Sequence, residues 1–163
     1  MPVTATATVT ASIEVSVDPH TAFDVFTSEI DAWWQRGPMN WNDPERAVGV
    51  RFEPGVGGCW LEVHDASTGE GFEMGRITAW VPGERLAFTY LDAGHEIDGT
   101  EVEVRFEPVT GGTRVTVEHS GWTSVAPGVV DRKMATKRWG WGNILNWYGN
   151  HVFMTRILVH QGA

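Results

Sequence analysis

Six short apolar runs follow one another between residues 47 and 121, each separated from the next by turn residues. They are Ala47–Glu53, Cys59–His64, Gly71–Val81, Arg85–Leu91, Thr100–Pro108 and Thr113–Gly121. Short connections join antiparallel neighbours, whereas parallel strands need crossovers of about a dozen residues or more. The runs therefore predict an antiparallel meander of six strands.

A strand and a helical segment precede this meander. From Thr8 to Val17 apolar and polar residues alternate, which predicts a half-buried strand. Asp18-Pro19 then offers an N-cap followed by proline at the first helical position. The apolar residues that follow at helical spacing are Phe23, Phe26, Ile30 and Trp33 or Trp34. A short helix, or a pair of helices, should therefore run to about Gln35.

After the meander the apolar period changes from two to that of a helix. The stripe consists of Met134, Trp141, Leu145, Tyr148, Val152, Thr155 and Val159. We predict one long C-terminal helix with Asp131 as its N-cap and with Gly140, Gly142 and Gly149 inside it. Each internal glycine costs about 1 kcal/mol relative to alanine, so we expect a close approach to another surface or a kink.

Length and charge limit the kind of protein this chain can be. Its 163 residues suit one domain spanning 1–163, and its net charge of -9 repels phosphate backbones and anionic lipid. No apolar run approaches the roughly 20 residues of a membrane span, and the N-terminus lacks the pattern of a signal peptide. We expect a cytoplasmic protein that binds no nucleic acid and does not insert into membranes.

Motifs for a cofactor, a metal or covalent catalysis are absent. Pro54-Gly55-Val56-Gly57-Gly58 joins two strands and opens no helix, so it predicts a tight hairpin turn rather than a phosphate loop. The six histidines show no metal-ligand spacing, and Cys59, the only cysteine, has no evident histidine partner. We expect no cofactor, no metal and no catalytic nucleophile.

The nine tryptophans are the most informative excess in the composition. They are spread along the chain from Trp33 to Trp147, although leucine, isoleucine and valine suffice to fill a core. Large amphipathic rings around a concavity are typical of small-molecule pockets. The alternative interpretation, in which they only fill the core, stays open at each position.

Several segments together resemble a known family. They are Ile13–Trp34 with its Asp18-Pro19, Pro54-x-x-Gly57-Gly58, the run from Gly75 to Thr89, Gly112–Trp122 and the tryptophan-bearing final helix. In this order and spacing they resemble the AHSA1-like (Hsp90-ATPase-activator-homology) branch of the SRPBCC, or Bet v 1/START, superfamily. The resemblance extends from about residue 9 to residue 158.

The resemblance implies an α+β helix-grip fold, in which a curved seven-stranded antiparallel sheet closes around a long C-terminal helix. It also implies a cavity between sheet and helix, with an apolar or aromatic ligand of unknown identity. We predict that nine residues bind this ligand: Trp34, Trp41, Trp60, Phe88, Tyr90, His119, Trp141, Leu145 and Tyr148. Whether Trp60 faces the interior is open, because Cys59, Leu61 and Val63 compete for the same face.

Two other functions remain open at this stage. A cyclase, dehydratase or hydrolase could use His119, His64, Glu62 or Tyr148 as acid or base in the same cavity. An interaction module would instead have a protein partner, with a homodimer as one arrangement. The chain lacks the additional N-terminal domain of the eukaryotic co-chaperone, so we expect no Hsp90-type partner. We expect a binding protein rather than an enzyme and assign no catalytic residue.

Overall fold

The computed structural model of the chain describes residues 8–35, 41–91, 98–122 and 140–158. Its seven strands are β1 Val9–Val15, β2 Gly49–Phe52, β3 Cys59–Val63, β4 Gly71–Val81, β5 Arg85–Tyr90, β6 Thr100–Val109 and β7 Gly112–Ser120. Its α-helices are α1 Pro19–Ser28, α2 Ile30–Trp33 and α3 Trp141–Val152, and α3 continues into a π-helical segment, Phe153–Ile157.

The strands form one antiparallel sheet in the order β1-β7-β6-β5-β4-β3-β2. From β2 to β7 each strand pairs with the next in sequence, as the short connections predict. β1 pairs beyond β7, with Val9 opposite His119 and Val15 opposite Thr113. The sheet curls into a half-barrel around α3, so the predicted helix-grip fold is confirmed.

The predicted start of the first helix is also confirmed. Asp18 adopts an extended conformation as N-cap, and its carboxylate accepts hydrogen bonds from Thr21 N at 3.3 Å and from Thr21 Oγ1 at 2.6 Å. The pair of helices α1 and α2 buries the predicted apolar stripe against the sheet and α3. Its members are each at most 5% exposed: Phe23, Phe26, Ile30, Trp33 and Trp34.

The predicted start of the C-terminal helix is wrong in one respect. Gly140 does not lie inside a helix: it has an extended backbone and is the N-cap of α3, which begins at Trp141. Asp131, which the periodicity favoured as N-cap, lies outside the described residues. The predicted apolar stripe begins at Met134 and so extends past Gly140, but periodicity carries no signal for where helical hydrogen bonding begins. From Trp141 to Val152 the stripe is confirmed, since Leu145, Tyr148 and Val152 are all buried. Thr155 is half-buried, and Met134 and Val159 lie outside the described residues.

The close approach expected at a helical glycine is found at Gly149. A Cβ on Gly149 would lie 2.5 Å from Ile13 Cδ1, so α3 packs directly on β1 at this point. A Cβ on Gly142 would meet no atom within 4 Å. None of the described helices is long and apolar enough to cross a membrane.

These two glycines make a matched pair for measuring the helix–sheet contact. We expect Gly142→Ala to stabilise the protein by up to about 1 kcal/mol, because alanine favours the helix and the site is open. Gly149→Ala should lack this gain because its Cβ collides with Ile13 Cδ1. Ile13→Val removes that carbon, so the double variant should be more stable than the two single effects predict. Urea unfolding of all four variants tests this, and equal effects of the two glycine replacements would contradict the packing.

Candidate functional site

Trp60 faces the interior, which answers the question left open by the sequence. It is 1% exposed, it stacks on Phe52 with ring centroids 4.3 Å apart, and Phe52 lies opposite it in the β2–β3 register. Cys59 is only half-buried. Phe52 was not predicted to stack on Trp60. The alternation of Val50 and Phe52 along β2 nevertheless indicates that both side chains face inward.

Five of the predicted ligand-binding residues form a closed cycle of ring contacts, here called the aromatic pentad. Its members are Trp34, Trp60, Phe88, Tyr90 and Trp141. The successive centroid separations are 5.5, 6.0, 6.2 and 6.4 Å, and a last separation of 6.4 Å joins Trp141 back to Trp34. The five rings come from the end of α2, from β3 and β5, and from the start of α3.

His119 adjoins the pentad on β7. Its imidazole is fully buried, stacks on Tyr90 at 5.6 Å with an interplanar angle of 10°, and accepts a hydrogen bond at Nδ1 from Trp141 Nε1 at 3.1 Å. Trp122 covers it at a centroid distance of 4.4 Å and donates from Nε1 to the His119 carbonyl oxygen. Burial lowers the pKa of His119 to about 3, so the ring is neutral at pH 7.

Three buried nitrogens near the pentad have no hydrogen-bond partner among the described residues. They are Trp34 Nε1, Trp60 Nε1 and His119 Nε2. Other buried indoles do find one: Trp33 donates to the carbonyl oxygen of Val25 at 3.1 Å. An unpartnered buried donor is uncommon in folded proteins, because it loses its hydrogen bond to water and gains none in return.

The remaining predicted residues lie in the same core but outside the pentad. Trp41 is half-buried and packs against the core, and Leu145 is fully buried one helical turn after Trp141. Tyr148 donates its hydroxyl proton to the carbonyl oxygen of Ala22 at 2.8 Å, and burial raises its pKa. Its ring contacts Phe26, so Tyr148 ties α3 to α1.

The four candidate acid–base groups belong to three separate hydrogen-bond groups. Glu62 is fully buried and accepts hydrogen bonds from Asn42 N at 2.7 Å, from Asp43 N at 2.9 Å and from His64 Nε2 at 2.7 Å. His119 pairs with Trp141 instead, and Tyr148 with Ala22. Within the part of the chain that the structure describes, no hydrogen bond joins these groups.

A surface cleft of about 730 Å³ lies beside the Glu62–His64 pair and is lined in part by His64, Cys59 and Phe72. None of the nine predicted ligand-binding residues lines it. The Cys59 thiol donates to Glu73 Oε1 at 3.2 Å, and burial together with Glu73 and Glu53 raises its pKa to about 11. In the described ranges, no three His, Cys, Asp or Glu side chains are grouped to hold a metal ion.

The profile of the family described as "Activator of Hsp90 ATPase homolog 1-like protein" (AHSA1) matches residues 16–146. The chain belongs to this family. The match begins just after β1, contains α1, α2 and the whole β2–β7 meander, and ends within α3. No protein of curated function matches the sequence of this AHSA1-like chain.

Solved structures share the fold of the AHSA1-like chain. Protein MLL2253 from Mesorhizobium loti is 19% identical over 93% of this chain and all of its own, with a TM-score of 0.66. The Aha1 dimer from Colwellia psychrerythraea is 17% identical, with coverages of 88% and 94% and a TM-score of 0.60. The anthrahydroquino-gamma-pyrone synthase Txn09, complexed with SUM, is 29% identical, with coverages of 88% and 95% and a TM-score of 0.57.

The buried neutral His119 should make the stability of the AHSA1-like chain depend on pH. Between the ordinary histidine pKa of about 6.5 and the folded value, the unfolded chain binds a proton that the folded chain does not. The free energy of unfolding should therefore fall as pH drops from 6.5 towards 3, by up to about 1.4 kcal/mol per pH unit from this group.

Urea unfolding of wild type and His119→Gln across this pH range isolates the effect, because the carboxylates titrate in both proteins. The wild type should lose stability more steeply than His119→Gln. His20 is exposed, so His20→Gln is the control and should follow the wild-type curve. Parallel curves for wild type and His119→Gln would contradict a buried, neutral His119.

The thiol of Cys59 should alkylate slowly at neutral pH, because only the thiolate reacts. Its rate with iodoacetamide should rise with an apparent pKa near 11 in the folded protein. Glu73→Gln removes a negative charge that opposes ionisation, so it should lower the apparent pKa and raise the rate at pH 8. The urea-unfolded chain is the reference. A folded thiol that already reacts like the unfolded one would contradict the Cys59–Glu73 contact.

Proposed function

We propose that this AHSA1-like chain binds a small apolar or aromatic molecule between the curved sheet and α3. The aromatic pentad carries the proposal. Its five rings form a cycle, and among the described residues no ring contact crosses it from Trp34 to Phe88 or from Trp60 to Trp141. Such a cycle places ring faces and edges around a common centre, and this arrangement suits a planar apolar ligand.

Two further observations support binding between sheet and helix. The unpartnered nitrogens of Trp34, Trp60 and His119 lie on the pentad or beside it, where a ligand would supply their missing hydrogen bonds. The Txn09 synthase, whose structure is a complex with SUM, shares the fold at 29% identity. The acid–base alternative lacks comparable support, since its four candidate groups are divided among separate contacts.

The other expectations stay predictions under this proposal. They are a cytoplasmic location, no binding of nucleic acid, no requirement for a metal or cofactor, and no Hsp90-type partner. A homodimer remains one arrangement of the chain, and the Aha1 protein from Colwellia psychrerythraea, which has the same fold, is a dimer.

Leu145→Trp tests whether the space between the sheet and α3 has room for a ligand. Leu145 is fully buried one turn from Trp141, so an indole there would occupy the proposed binding space. We expect wild type to take up Nile red, with enhanced and blue-shifted emission, and Leu145→Trp to take up much less. The free energy of unfolding of Leu145→Trp, measured in urea, should be close to that of wild type. If the core were filled, the added ring would instead lower it by about 1–3 kcal/mol.

Val81→Trp adds the same ring at a position that is 40% exposed and should leave dye uptake unchanged. A wild type that never takes up the dye, together with a clearly destabilised Leu145→Trp, would mean that the core is filled. Ligand binding would then be abandoned in favour of an interaction module.

A further inference from the structure

We propose that the ligand is a neutral, planar aromatic molecule that bears carbonyl-type oxygen atoms as hydrogen-bond acceptors. The inference rests on the proposed function and adds the polarity of the ligand to it. It starts from the three unpartnered nitrogens, because at neutral pH each of them is a donor.

The proton on His119 is located by its neighbour. Trp141 Nε1 carries a hydrogen that it can only donate, and it donates to His119 Nδ1 at 3.1 Å. Nδ1 must therefore hold the lone pair. A neutral imidazole with its lone pair on Nδ1 carries its hydrogen on Nε2. Nε2 is the buried atom without a partner, so His119 presents an N–H donor.

The other two unpartnered nitrogens belong to indoles, which are donors in every case. Trp34 and Trp60 are pentad members in direct ring contact at 5.5 Å, and Trp34 is linked to His119 through Trp141. The described surroundings of the pentad thus contain three donors without an acceptor. A ligand that supplies acceptor atoms satisfies them, whereas an aromatic N–H group, which can only donate, would face further hydrogens.

The charge of the buried side chains determines whether a neutral acceptor or a carboxylate fits the three donors better. Among the described residues the buried polar side chains are four threonines, Glu62 and His119, and none of these is cationic. Burying a carboxylate without a counter-charge costs far more than burying a carbonyl group. The chain as a whole carries a net charge of -9, which adds to this penalty. A ketone, quinone or pyrone oxygen therefore fits the donors better than an acid does.

Three tricyclic probes of nearly equal size and shape separate these possibilities. Fluorene has no polar group, fluorenone has a carbonyl acceptor at the same bridge position, and carbazole has an N–H donor there. Calorimetric titration of the wild-type protein should give fluorenone about tenfold tighter binding than fluorene, the fold-change of roughly one buried hydrogen bond. Carbazole should bind no tighter than fluorene.

Single replacements of the donors show which of them recognise the carbonyl group. Trp34→Phe and Trp60→Phe keep an aromatic ring and remove the N–H. At least one of them should abolish most of the preference, bringing the ratio of the fluorenone and fluorene affinities close to one whatever happens to the affinity for fluorene. Trp80 is half-buried and packs on Phe23 away from the pentad, so Trp80→Phe is the control and should keep the preference.

The outcomes distinguish the two proposals. If none of the three probes binds, the proposed function itself fails. If all three bind with equal affinity, or if carbazole binds best, the protein binds an aromatic ligand between the sheet and α3, but the donors do not select that ligand. The present inference is then overturned. The comparison of probes on wild type needs no variant, so it stands even where a tryptophan replacement fails to fold.

Discussion

Two buried hydrogen bonds set the position of the C-terminal helix, and the arrangement of the interior depends on them. Trp141 at the start of α3 donates to His119 on β7, and Tyr148 two turns later donates to the Ala22 carbonyl oxygen on α1. Both donors are fully or almost fully buried, so losing either bond would leave a polar group without water or partner. The helix is thereby tied to the sheet at one end and to α1 further along.

The aromatic pentad exists only because of this arrangement. Its rings come from four elements, and Trp141 closes the cycle by contacting both Tyr90 and Trp34. The same hydrogen bond that positions Trp141 also determines which nitrogen of His119 carries the proton. One of the two contacts that place the helix therefore also sets the polarity of the proposed binding site. Family membership establishes the fold that allows this contact, but the ligand depends on the side chains inside it.

Glu62, His64 and Cys59 lie away from the pentad and have hydrogen-bond partners that account for their positions. Glu62 receives two backbone N–H groups of the segment at Asn42 and Asp43 as well as His64, which holds that segment against β3. Cys59 is bound to Glu73 and ionises only at high pH. These residues were considered for chemistry because of their type. Their contacts explain their burial, whereas the three unpartnered nitrogens near the pentad have no such explanation.

Local sequence patterns were enough to predict the element order, the antiparallel meander, the Asp18 N-cap and the burial of the stripe through Trp141 and Tyr148. These features follow from local periodicity and turn chemistry, which act between near neighbours in the chain. Three further features emerge only in the folded chain: Trp60 faces inward, α3 begins after Gly140, and Tyr148 bonds to α1 rather than joining the pentad. Each of these depends on contacts between residues far apart in sequence. Such contacts are set by packing and by the need to satisfy buried polar groups, and no local pattern encodes them.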